Sequence, residues 1–239
     1  MQDTFFVFLK VDKNKPNHFQ YKKQIPYKHQ PSMKKLRQYL NGLEELSPEE
    51  WQQTAELFKT EEIEKGSYFV KSDEICNKVA FVESGLFRLF YRIDDEERIM
   101  LFFNENQFVT DYFSFLTNTP SIRPIQAIEH STVYTITKEN LQSLFEKYKK
   151  WEKIGRILAE RSYVYAVQRA NRLIHDDYET LFKSFMEEHP TLIQRVPQFM
   201  IASYLNMTPE TLSRVKKRLI KKGEISHKSI HNSLDSDFI

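Results

Sequence analysis

A single cysteine, Cys76, stands in the 239 residues, so no internal disulfide can form and no four-cysteine iron–sulfur or zinc site can be built. It is expected to be a structural residue rather than a thiol sensor. The seven histidines are scattered, with no HxxxH or HExxH pair to set two ligands on one helical face. No metal and no cofactor is therefore expected. No apolar run approaches the ~18 residues of a membrane span. The apolar stretch 5–9 is too short for the core of a secretion signal, and no small-residue cleavage site follows it. A cytoplasmic protein without a membrane partner is the expectation. Nor is there a nucleophile–base pair, a phosphate-cradling loop or a metal spacing to argue for an enzyme. Net charge is only +2, so the chain as a whole does not announce a polyanion partner.

What is present is apolar and aromatic. Forty per cent hydrophobic content, with 19 Phe and 12 Tyr, suffices for one large or two smaller domains. Residues 1–32 carry three prolines, many Lys, Gln and Asn, and no sustained period. They read as a disordered or non-native extension, with Met33 as a second candidate start. From Met33 an amphipathic pattern opens with Leu36, Tyr39, Leu40 and Leu43. Ser47-Pro48-Glu49-Glu50 has the form of a capping box, with proline in the first turn.

Residues 61–136 change character. Short β-rich runs recur at 68–70, 78–82, 86–93, 98–103, 125–128 and 132–136, separated by turn signals such as Lys65-Gly66, Ser84-Gly85 and Thr119-Pro120. Strands this short and this frequent predict an antiparallel sandwich or barrel. A short helix over 138–148 and a long one over 151–174 follow. The long helix bears two apolar stripes, one with Ile154, Leu158 and Tyr165 and one with Ile157, Val164, Val167 and Ile174. Two stripes predict two packing surfaces, the chain's own barrel and a partner helix.

Three helices are predicted at 177–188, 198–205 and 209–222, the last two joined by only Asn206-Met207-Thr208. That is helix-turn-helix geometry. Ile201, Leu205, Met207, Leu212 and Val215 supply the inward apolar positions, and Ala202 is small where the helices cross. Asn206 suits a turn that needs φ > 0. Thr208 can cap the second helix, with Pro209 at its first position and Glu210 in its first turn. Six basic residues and no acid lie between Arg214 and Lys222, a candidate phosphate-contacting face.

The β-rich region, the long helix and the C-terminal helix pair together resemble the Crp/Fnr family of bacterial transcription regulators. The resemblance rests on Lys65-Gly66, on Phe81-Val82-Glu83-Ser84-Gly85 and on the run Thr208-Pro-Glu-Thr-Leu-Ser-Arg214, and it covers about residues 33–222. It implies an α+β fold. The N-terminal part is an antiparallel β-roll, cyclic-nucleotide-binding-like (a double-stranded β-helix), with flanking helices. A long dimer helix and a C-terminal helix-turn-helix domain follow. It divides the chain at 33–150 for effector sensing, 151–175 for dimerisation and 176–239 for DNA binding. Ile154, Leu158 and Tyr165 are then the expected dimer contacts. Thr208, Glu210, Thr211, Ser213, Arg214, Lys217 and Arg218 are the expected DNA contacts. Glu210 can accept from a cytosine amino group and Arg214 can pair with a guanine edge. Lys216, Lys217 and Lys221 suit phosphates. Pro209 stands where the family often has an Arg, so one base contact is expected to be missing. Residues 224–239 do not promise a well-formed β-wing.

Nucleotide-binding members carry a Gly-Glu pair and, about ten residues on, an Arg-Ser pair. Here Thr110 and Asp111 stand in the first place, Ser121 and Ile122 in the second, and Arg123 is displaced. Thr110, Asp111, Ser121 and Arg123 are the candidate effector pocket, and cyclic AMP is not the expected effector. The implied partners are a palindromic double-stranded DNA operator, a second copy of the chain, an unspecified small molecule and, as a further candidate, RNA polymerase. A ligand-sensing or protein-interaction module without specific DNA binding is the alternative.

Overall fold

The computed structural model describes residues 33–94 and 96–226. The expectations for residues 1–32 and for a wing over 227–239 lie outside the described residues. The described chain opens with α1 (Lys34–Asn41), which buries Leu36 and Leu40. In α2 (Pro48–Leu57) both halves of the capping box form. The Glu50 N–H donates to Ser47 Oγ at 3.2 Å, and the Ser47 N–H donates to Glu50 Oε2 at 2.7 Å.

Eight strands follow: β1 (Lys59–Ile63), β2 (Tyr68–Val70), β3 (Lys78–Ser84), β4 (Phe87–Ile93), β5 (Glu96–Phe103), β6 (Phe108–Val109), β7 (Ile125–Ala127) and β8 (Ser131–Thr137). They form two antiparallel four-stranded sheets, in the orders β1-β8-β3-β6 and β2-β7-β4-β5. Phe69, Val82, Phe87, Leu89, Val109 and Ile125 fill the core between them. β1 and β6, and the helix α3 (Tyr112–Thr117), were not expected from the sequence. β1 reads Lys-Thr-Glu-Glu-Ile, and only its pairing along β8 makes it a strand. β6 has two residues and α3 has six, too few to show a period. The β3–β4 turn depends on Gly85, whose φ is +110° and whose missing Cβ would lie 2.0 Å from Ser131 Oγ.

Thr137 caps α4 (Lys138–Lys147), which leads into α5 (Lys149–His175), a helix of 27 residues. Trp151 Nε1 donates to the buried Thr54 Oγ1 at 3.0 Å, and Ile154 is fully buried with Leu36, Phe81 and Ile136. The first turns of α5 are thus bound to the roll. Beyond them come α6 (Tyr178–Glu188), α7 (Leu192–Arg195), α8 (Gln198–Tyr204) and α9 (Pro209–Lys221). Their core is continuous with one side of the roll: Phe182, Ile201 and Leu212 share a buried cluster with Phe90, Ile99 and Phe102. Ser203 completes the joint, since its Oγ accepts from the Ile99 N–H at 3.0 Å and donates to the Glu97 carbonyl at 3.1 Å.

Candidate nucleic-acid interface

The turn between α8 and α9 is built as its residues require. Asn206 has φ +56°, and the Met207 N–H donates to the Ala202 carbonyl at 2.9 Å. Thr208 Oγ1 then accepts from the Thr211 N–H at 3.2 Å, with Pro209 in the first helical turn. Leu212, Val215 and Leu219 face inward against Ile201, Ala202 and Leu205, and all six are buried.

The opposite face of α9 is open. Thr208, Glu210, Arg214, Lys217, Arg218 and Lys221 are exposed, and Thr211 and Ser213 are half-buried. The backbone N–H of Glu210 and the Thr208 hydroxyl hold the Glu210 carboxyl below the usual carboxylate range, with a smaller contribution from Arg214. It therefore stays an acceptor at neutral pH. Arg214 Nη2 reaches Thr211 Oγ1 at 3.3 Å, which lays the guanidinium along the exposed face.

Two of the basic residues behave differently from expectation. Lys216 is not a phosphate contact in waiting, because it is 9 % exposed and turned into the domain. Arg218 is exposed but engaged: its Nη1 donates to Glu179 Oε1 at 3.3 Å, while Lys222 Nζ donates to Glu179 Oε2 at 2.5 Å.

The four candidate pocket residues of the roll divide. Asp111, Ser121 and Arg123 come together beside α3. Ser121 Oγ donates to Asp111 Oδ2 at 2.6 Å, and Arg123 Nη2 is paired with Asp111 Oδ1. Asp111 and Ser121 are each 1 % exposed. Thr110 turns away, donating to the Lys78 carbonyl at 3.1 Å and lying 3.3 Å from the buried Cys76 Sγ. The one cationic side chain of this group is thus already matched by the chain's own carboxylate.

Of the stripe expected to meet a partner, Ile154, Leu158 and Tyr165, the first is enclosed within the chain and the other two are half-buried against it. Ile154 is fully buried, Leu158 lies against the same cluster, and the Tyr165 hydroxyl is 2.8 Å from that of Tyr204. Periodicity showed two stripes but not which one the roll covers. The exposed large apolar residues of α5 are Tyr163, Val164, Val167 and Ile174.

Arg195 and Glu179 were not singled out in the sequence. Arg195 donates to Glu105 at 2.8 and 2.9 Å, to Glu129 at 2.7 and 3.0 Å and to the Gly85 carbonyl at 3.2 Å, so it joins α7 to three turns of the roll. Partners this far apart in the chain leave no local pattern.

Residues 60–148 match the family of the cyclic nucleotide-binding domain. The chain has that domain's fold. FixK2 from Bradyrhizobium japonicum superposes with a TM-score of 0.62 at 16 % identity, over 70 % of this chain and 86 % of that one. The c-di-GMP responsive global regulator CLP of Xanthomonas campestris superposes with a TM-score of 0.58 at 17 % identity, over 74 % and 93 %. A transcriptional regulator of the Crp/Fnr family from Eubacterium rectale also gives 0.58, at 15 % identity, over 76 % and 87 %. No curated protein sequence matches the chain. The antiparallel cyclic-nucleotide-binding core with flanking helices is therefore shared with structures of Crp/Fnr regulators. Among the described residues no helix is long and apolar enough to cross a membrane.

Proposed function

We propose that the chain is a cytoplasmic, sequence-specific DNA-binding transcription regulator of the Crp/Fnr type, acting as a homodimer on a palindromic operator. The observation that carries this reading is α9. A capped helix after a tight left-handed turn presents Glu210, Arg214, Lys217 and Lys221 on one open face while its other face holds the core. A helix so presented enters a major groove with its N-terminal residues at base edges. Glu210 and Arg214 read bases, and Lys217 and Lys221 hold phosphates, with Thr208, Thr211 and Ser213 at the groove edge.

In this reading the roll, 33–150, senses, the helix 151–175 dimerises, and 176–239 binds DNA. The exposed residues Tyr163, Val164, Val167 and Ile174 give α5 its partner surface. The effector is not cyclic AMP. A buried carboxylate that already accepts from Ser121 and Arg123 repels a cyclic phosphate and leaves it no free guanidinium. Selection of bound fragments from genomic DNA tests the reading, with a palindromic half-site as the expected result. Recovery of random fragments with no shared half-site would instead favour a sensing or interaction module.

A further inference from the structure

Glu179 stands at the start of α6, on the side of the domain where α9 ends. Its side chain is 15 % exposed, whereas those of Arg218 and Lys222 are 63 % and 49 % exposed. One covered carboxylate therefore draws two open cations onto itself, accepting from each with a separate oxygen. A second clasp binds the same elements, with Lys183 Nζ of α6 donating to Glu224 Oε2 at 2.9 Å just beyond α9. The Lys222 hydrogen bond, with Arg218 adding to it, holds Glu179 below the usual carboxylate range, so it is ionised wherever the protein is folded near neutral pH.

We infer that Glu179 is an internal stand-in for DNA phosphate that withholds Arg218 and Lys222 from the polyanion and so sets the affinity of the domain for duplex DNA. The inference rests on the DNA-binding reading above. A carboxylate and a phosphate diester oxygen are alternative acceptors for the same two cations, and each wants a charge-assisted hydrogen bond. Among the described residues Arg214, Lys217 and Lys221 form no ion pair and meet DNA directly, whereas Arg218 and Lys222 must first leave Glu179. Binding through them gains less because an existing ion pair is exchanged for a new one. Phosphate contacts carry no sequence information, so Glu179 governs how tightly the domain holds DNA and not which DNA it holds.

The test is a titration of the full chain against its selected operator and against a random duplex of equal length, at several salt concentrations. Glu179→Gln keeps the shape and removes the charge. It should bind both duplexes roughly fivefold tighter near 0.1 M salt, with a salt slope steeper by about two, one for each cation released. The ratio of operator to random binding should stay the same. The double variant Glu179→Gln with Lys222→Gln should lose about half of that gain, because one of the two freed cations is removed with it. A merely structural Glu179 would move the melting temperature and leave the slope alone. If the wild type binds the operator in a salt-dependent way and Glu179→Gln binds equally or more weakly, the inference is wrong and the DNA-binding reading stands. If the wild type binds neither duplex, both fall.

Discussion

Arg214 and Lys217 lie three residues apart on α9 and are both exposed, yet their chemistry separates them. A guanidinium is a planar fork that matches the acceptor pair of a guanine edge. An ammonium is a point charge suited to any phosphate. Arg214→Ala should weaken operator binding by roughly tenfold or more and flatten the preference at one position per half-site, the cost of about 1–3 kcal/mol for a lost bidentate contact. Lys217→Ala should weaken every duplex alike and lower the salt slope by about one. Titrations against the operator, a single-base variant of it and random DNA separate the two. Equal loss on all three for Arg214→Ala would make it a phosphate contact. The same residue-by-residue logic applies in the roll. A ligand that binds only the folded state raises its melting temperature by mass action. Cyclic AMP should produce no such rise, because Asp111 occupies Arg123 and Ser121. A shift that grows with cyclic AMP concentration would overturn the assignment.

At the scale of elements, the turn and cap between α8 and α9 carry separable amounts of stability. Leu212 is 1 % exposed in the core of the helix pair, and Leu212→Ala should cost about 2–5 kcal/mol. Thr208→Ala removes the hydroxyl that accepts from the Thr211 N–H, at about 1 kcal/mol. Asn206→Gly should change little, whereas Asn206→Val forces a β-branched residue to φ +56° and should cost about 1–2 kcal/mol. Urea denaturation of the four variants checks the order. These elements were legible in the sequence because their signals are local: Asn at the left-handed turn, Thr and Pro at the helix start, apolar residues at helical spacing. β1 was not, since Thr60 and Glu62 become strand residues only by pairing with Tyr134 and Thr132 across the sheet. Asp111 and Arg123 could be nominated from the sequence, but nothing in it announces that one would neutralise the other. Lys216 shows the same limit, because a basic run does not say which of its members the helix turns inward.

At the scale of the whole molecule, the roll and the C-terminal helices share one buried cluster, and Arg195 ties them across their edge. Elements that share a core are expected to unfold in one cooperative transition. Burial pushes the Glu105 carboxyl up, but the Arg195 hydrogen bonds and the Gly85 N–H outweigh it and bring it down to about 2 from an ordinary 4.5. A carboxyl whose folded value is depressed stabilises the fold above its unfolded value, and that stabilisation is lost as pH falls from about 4.5 towards 2. Arg195→Met keeps most of the bulk and removes the guanidinium, leaving Glu105 and Glu129 facing each other without their shared donor. The variant should lose about 1.5–3 kcal/mol at neutral pH, the range for hydrogen bonds to charged groups. It should also lose less stability than the wild type between pH 4.5 and 2, because the group responsible no longer has its partner. Loss of the clamp loosens the joint that Ser203 and the apolar cluster also hold, so the variant's melt should broaden. Calorimetry across that pH range reads both effects. A variant whose stability falls in parallel with the wild type through the acid range would show that Arg195 is not what holds Glu105 ionised.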